Sequence, residues 1–328
     1  MYTIVCTGDS HTWGQGAAGM TDEFIPPAMA GDLRWGDFES KCYVNLLRED
    51  LNQRTNSKAI QLDVKDKKAF HLTGDSVLSE NITLLDGQLF LMTNAEMVRI
   101  QFRCGPETGD AEVDINSVTS ATISTYSKNG VNQYKTVLLR LDGTDNTVTI
   151  RTVNSAVDVY KIELYSGETA VINSGVGSCT TRRFLDEYWE SHVMQYSPEV
   201  VLIEGHSIND WLNNVKISQY IENLKTLFAR TREIGAVPIL LTVSPILGNQ
   251  LSDSGIDYRE YIEASKAAAV QSDVMIADAN LLIENAYEQL SHDTRHLEMF
   301  MDVWHVNDFG HRLYYEAGKG VLDMHLVS

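Results

Sequence analysis

The sequence predicts an α/β protein built on a parallel sheet and interrupted by an inserted antiparallel β-sandwich. Three observations carry that prediction. Apolar strand-like runs alternate with helical stripes near both ends of the chain. Between about residues 60 and 166 the alternation stops, and short alternating segments recur with turn residues between them. After about residue 168 the first texture returns.

The elements follow in order. Tyr2–Cys6 is a continuous apolar run and reads as a buried strand. A loop rich in Gly and Pro comes next, then a helix whose stripe is Tyr43, Leu46, Leu47 and Leu51. The middle region offers six strand candidates: 81–85, 97–102, 121–126, 136–141, 147–152 and 159–164. Asp86-Gly87, Asn129-Gly130 and Asp142-Gly143 are the turn signals between them. Such spacing, with no helical stripe, predicts an antiparallel sandwich. Strands at 170–173, 199–204, 236–243 and 274–277 then alternate with helices. The helices carry Tyr220, Leu224, Leu227 and Phe228, then span about 257–271 and 308–325. Fully apolar strands joined by helical crossovers predict a parallel sheet. The expected division is one discontinuous domain, 1–58 and 168–328, around an insert at 59–167.

Composition narrows the partners. At 328 residues, 43% hydrophobic and 9% aromatic, the chain is expected to be globular. A net charge of −19 disfavours nucleic-acid backbones and anionic membranes. No run reaches the ~18 apolar residues of a membrane span, and no signal-peptide pattern precedes the first strand. That leaves the compartment open between the cytoplasm and export without a cleaved signal. Cys6, Cys42, Cys104 and Cys179 are far apart and read as structural thiols.

Four stretches can carry chemistry. Gly8-Asp9-Ser10-His11-Thr12-Trp13-Gly14 delivers a serine at the end of the first strand. Asp302-Val303-Trp304-His305 places a carboxylate three residues before an imidazole, close enough in one loop to fix its tautomer. Gly177-Ser178 and Gly205-His206-Ser207-Ile208-Asn209-Asp210 follow two later strands and offer a backbone N–H and a side-chain amide as oxyanion donors. All four lie where open α/β sheets place their sites. Each alone is weak, since a turn or helix cap accounts for it. The conjunction is specific.

These blocks resemble those of the SGNH hydrolases, the GDSL esterase/lipase superfamily, over residues 1–55 and 168–328. The resemblance implies a three-layer α/β/α flavodoxin-like sheet and no cofactor or metal. It implies Ser10 as nucleophile, His305 as base and Asp302 as its orienting partner. The implied oxyanion hole is the Ser10 and Ser178 N–H groups, with Gly177 an alternative, and the Asn209 amide. Two blocks depart from the family pattern: Ser178 stands where a glycine is usual, and Ser207 where the Gly-x-Asn-Asp block has its glycine. The family cleaves acyl esters. A β-sandwich beside an esterase resembles a carbohydrate-binding module, so the expected substrate is an O-acetylated carbohydrate or another small ester. Oligomeric state is left open. The rival readings are a lipase or thioesterase on a non-sugar ester, a nucleophile elbow at Ser207, a metal held by His292 and His296, and a glycan-binding protein without catalysis.

Overall fold

The computed structural model describes the chain except residues 20–33, 63–68, 79–80, 129–132, 249–250, 253–254, 291–294 and 328. Much of the Gly/Pro loop, the Asn129-Gly130 turn and His292 therefore lie outside the described residues. The chain forms two compact units. One comprises Met1, Leu33–Trp35 and Asn52–Ala170; the other comprises Tyr2–Asp32, Gly36–Leu51 and Val171–Ser328.

In chain order the elements begin with β1 (Tyr2–Gly8), α1 (Ser10–Trp13) and α2 (Tyr43–Thr55). Nine strands follow: β2 (Lys58–Leu62), β3 (His71–Leu78), β4 (Ile82–Thr93), β5 (Met97–Cys104), β6 (Asp110–Ile115), β7 (Val118–Ser124), β8 (Gln133–Arg140), β9 (Asn146–Thr152) and β10 (Val157–Ser166). Next come β11 (Thr169–Gly175), α3 (Thr181–Arg183), α4 (Trp189–His192), β12 (Val200–Glu204), α5 (Ser207–Leu212) and α6 (Ile217–Glu233). The chain continues with β13 (Val237–Leu241), α7 (Tyr258–Gln271), β14 (Met275–Ala277), α8 (Ala279–Gln289), α9 (Arg295–Met299) and α10 (Asp308–Val327). A π-helical turn, Phe184–Tyr188, joins α3 to α4.

The mixed α/β class expected from the sequence is present: a parallel sheet in one unit and a large antiparallel sheet in the other. The parallel sheet has the order β11-β1-β12-β13-β14. One rung runs Cys6, Leu202, Ile239, Met275. β12 is buried at every position, which is why its first four residues, Val200 to Ile203, are apolar without alternation. Ile4, Leu202 and Leu241 pack with Val44, Leu47 and Leu51 of α2 and with Tyr314 and Leu322 of α10. The helix starts are marked by side-chain caps: Asp257 accepts from Arg259 N and Asp278 from Leu281 N. All four cysteines are buried free thiols. Among the described residues no helix is long and apolar enough to cross a membrane.

Among the described residues the antiparallel sheet has nine strands, three more than the sequence predicts. β2, β3 and β6 carry no local strand signal because β2 and β3 have no buried residue and three of the six residues of β6 are acidic. β4 pairs with β10, β3 and β9, and β10 pairs with β2, β4 and β5, so two long strands are shared among several neighbours. Leu84, Leu91, Ile100, Phe102, Val148, Ile150 and Ile162 lie in one apolar core. Asp86-Gly87 is not the turn its composition suggested, because β4 runs straight through it. The local signal is a bulge instead: Asp75 faces Asp86 and Ser76 faces Leu84, leaving Leu85 unpaired. Gly74, at φ +73°, lies against the Asp86 carbonyl where a Cβ would collide, so glycine is required there. Asp142-Gly143 does form a turn: the Asp142 carboxylate accepts from Thr144 N at 3.0 Å, and Gly143 has φ +76°.

Candidate active site

β1 ends by placing Gly8, Asp9 and Ser10 at the carboxyl edge of the parallel sheet. A Cβ on Gly8 would collide with the Glu204 carboxylate and the Thr12 hydroxyl, so only glycine lets β12 come this close. The Asp9 carboxylate caps the short α1, accepting from His11 N at 3.0 Å. The helix stops at Gly14, which takes the left-handed conformation at φ 113°.

The segment 302–305 is folded around one carboxylate. Asp302 Oδ1 accepts from Trp304 N and from His305 N, each at 2.7 Å. These bonds turn the chain back so that His305 Nδ1 lies 2.8 Å from Asp302 Oδ2. A carboxylate can only accept, so Nδ1 carries the proton and Nε2 keeps its lone pair. Nε2 lies 2.9 Å from Ser10 Oγ, a contact that spans 295 residues of chain. Ser10, His305 and Asp302, named together from the sequence, thus form one hydrogen-bonded line.

Electrostatics support that tautomer. Burial lowers the His305 pKa, and the Asp302 carboxylate works against the shift, so the ring is neutral near pH 7. Burial pushes Asp302 up, but its bonds from the His305 ring and from two backbone amides outweigh that and bring it down to about 2. It is therefore ionised throughout the neutral range.

The remaining residues are placed less directly. Asn209, in α5, is 7% exposed and donates Nδ2 to Asp9 Oδ2 at 2.7 Å. That uses one of its two amide hydrogens. Ser178 is exposed at φ +55°, in the left-handed region that favours the glycine usual at this point, while Gly177 is buried. The backbone beside Ser178 is gripped from the β12–α5 segment. His206 Nδ1 bonds to the Cys179 carbonyl at 3.0 Å. Asp210 accepts from Thr181 N at 2.7 Å and from Thr181 Oγ1 at 2.8 Å. Burial raises Asp210 to about 7 against the pull of those bonds. Ser207, the rival nucleophile, is fully buried and pairs with the Tyr258 hydroxyl at 3.0 Å, not with a histidine.

Asp9, His11 and Glu204 have oxygen and nitrogen atoms close enough to share an ion. Hydrogen bonds already engage most of their polar atoms, Glu204 Oε1 excepted among the described residues. Asp9 N donates to Glu204 Oε2 at 2.8 Å, and Asp9 Oδ1 faces His11 Nδ1 at 3.1 Å. Burial and the Asp9 charge push Glu204 well above the usual carboxylate range. No local pattern marks the long-range bonds of His11 and Asp210: His11 reaches the Trp304 carbonyl 293 residues away, and Asp210 reaches Thr181 29 residues away.

No protein-family model matches the chain, and no curated protein sequence matches it. Solved structures do match in fold. A structure described as a peptidoglycan O-acetylesterase in action superposes with a TM-score of 0.52 at 17% identity, covering 99% of this chain and 91% of that one. The protein YxiM from Bacillus subtilis matches with a TM-score of 0.46 at 12% identity, over 82% of this chain and 91% of its own. An acetylxylan esterase from Geobacillus stearothermophilus matches with a TM-score of 0.39 at 20% identity, over 45% of this chain and 70% of its own. The resemblance to SGNH hydrolases drawn from the sequence agrees with the first of these likenesses, at the level of fold.

Proposed function

We propose that this protein is a serine ester hydrolase that removes acetyl or other short acyl groups from a carbohydrate. The observation that carries the reading is the line Ser10 Oγ–His305 Nε2 at 2.9 Å and His305 Nδ1–Asp302 Oδ2 at 2.8 Å. Ser10 Oγ attacks the ester carbonyl as its proton passes to His305 Nε2. The new Oγ–C bond leaves a tetrahedral oxyanion. That charge is met by the Ser10 and Ser178 N–H groups and by the second amide hydrogen of Asn209. Each such donor contributes about 3–4 kcal/mol to transition-state stabilisation. The C–O bond to the alcohol then breaks, and His305 gives its proton to the leaving oxygen. Water attacks the acyl-serine in the same way: its proton goes to His305, the acid leaves, and the proton returns to Ser10.

The substrate class is supported by the likeness in fold to a peptidoglycan O-acetylesterase over nearly the whole chain. The strand order supports a flavodoxin-like winding, because numbering the five parallel-sheet strands by sequence gives 2-1-3-4-5. Sharing of β4 and β10 among several partners supports reading the 59–167 insert as a sandwich.

The test measures acetate release from an aryl acetate and from an O-acetylated polysaccharide, with Ser10→Ala as control. Turnover by the wild type and its loss in the variant are expected, together with labelling of Ser10 by a serine-directed phosphonate. Unlabelled Ser10, or turnover that survives Ser10→Ala, defeats the reading.

A further inference from the structure

We propose that His11 is a positioning residue that ties the His305 loop to the Ser10 turn and, through Asp9, to the Asn209 amide. The proposal rests on the ester-hydrolase reading above. His11 is fully buried. Its Nε2 donates to the Trp304 carbonyl at 2.9 Å and lies 3.3 Å from Ser244 Oγ. Its Nδ1 faces Asp9 Oδ1 at 3.1 Å, and Asp9 Oδ2 accepts from Asn209 Nδ2 at 2.7 Å. One continuous chain therefore runs from the peptide just before the base, through the residue just after the nucleophile, to the candidate oxyanion donor.

The reaction itself makes such a tie necessary. The direct link between Ser10 and His305 is the bond that the chemistry consumes. Once Ser10 Oγ carries the acyl group it has no hydrogen to give, yet His305 must stay in place to activate water. The Asp302 bonds shape the 302–305 turn internally but do not anchor it to α1. Leu247 N holds the Val303 carbonyl at 3.0 Å from the β13 side. His11 anchors the same turn from the nucleophile side, and it uses no reacting atom to do so.

Three substitutions separate the two arms of the ring. Glutamine places an amide N–H near the Nε2 position and can keep the Trp304 arm. Asparagine places one near Nδ1 and can keep only the Asp9 arm. Leucine keeps neither. An ångström-scale misplacement of the base costs on the order of 10²-fold in rate. We expect His11→Leu to lower kcat about 100-fold on an aryl acetate while KM stays within about threefold. His11→Gln should recover at least about tenfold of that loss, and His11→Asn should not. Melting temperatures establish that each variant folds; the glutamine and asparagine pair carries the test if leucine does not.

A readout independent of turnover is the imidazole NMR spectrum of His305. We expect one sharp set of signals in the wild type and His11→Gln, and broadened signals in His11→Asn. Equal kcat in the asparagine and glutamine variants, or unchanged His305 signals in both, overturns the tether. So does a loss of activity that only follows the melting temperature. Failure of the ester-hydrolase reading itself shows separately, in the wild type and Ser10→Ala.

Discussion

Replacing Asp302 by asparagine tests the proposed chemistry at one atom. Asp302 Oδ1 accepts from two backbone amides at 2.7 Å and lies 3.0 Å from His305 Nδ1, while Oδ2 lies 2.8 Å from the same nitrogen. Asparagine must keep its single oxygen on the two amides, because turning it over would set an NH2 group against both N–H donors. The new Nδ2 then occupies the Oδ2 position and donates to His305 Nδ1. The ring proton is driven to Nε2, the nitrogen that has to accept from Ser10. Loss of the base in this way costs on the order of 10⁴-fold in kcat, or about 5.5 kcal/mol. The stability cost is far smaller. A fall from the ordinary carboxylate value to about 2 corresponds to roughly 2.5 kcal/mol unscreened; with the side chain 38% exposed, about 1 kcal/mol is the fair figure. The assay is kcat on an aryl acetate at pH 7.5, beside the melting temperature. A folded Asp302→Asn protein with kcat within tenfold of the wild type would refute the tautomer argument.

Other consequences follow from the same geometry. Asn209→Ala should lower kcat roughly a hundredfold or more while folding normally, and near-normal turnover would remove Asn209 from the oxyanion site. Burial lowers the His305 pKa, and the neutral ring is the working form, so activity should persist to mildly acid pH. The acid limb of kcat/KM against pH should have its midpoint below the ordinary histidine value of about 6.5; a midpoint above 7 contradicts this. In the other unit, Glu163 pairs with Arg99, whose side chain is 1% exposed and lies under the Trp35 ring at 4.0 Å. Glu163→Ala removes the anionic partner of that buried cation and should cost about 3–5 kcal/mol, read as a drop in urea midpoint; a shift below 1 kcal/mol sinks the argument.

The legible parts of this protein were those with dense local signals. β1, β12 and β13 are apolar at nearly every position because the sheet buries both faces, and such runs are visible in sequence. β3 has no buried residue, so nothing in its pattern marks it as a strand. Ser10, Asp302 and His305 could be named because each sits in a short block with a physical reason for its spacing. Asn209 could be named too, but its bond to Asp9 across 200 residues could not. The work of Asp210 was hidden for the same reason: its carboxylate holds Thr181, 29 residues back in the chain. Asp86-Gly87 misled because a bulge and a turn want the same residues, and only the partner strand tells them apart.

The place of β1 in its sheet also sets a timetable for synthesis. Its neighbours are β11 and β12, so the strand that leads into Ser10 has no partner until the chain has grown by more than 160 residues. At ribosomal speeds, the roughly 190 residues between Gly8 and β12 correspond to on the order of 10–40 s. During that interval Ile4 and Cys6, later wholly enclosed, face water or a chaperone. The antiparallel unit is nearly continuous in sequence and can close on itself before the parallel sheet has its third strand. His305 emerges later still. A nascent chain arrested before β12 would carry Ser10 without its sheet and without His305, so assembly of the candidate site belongs to the last stage of folding.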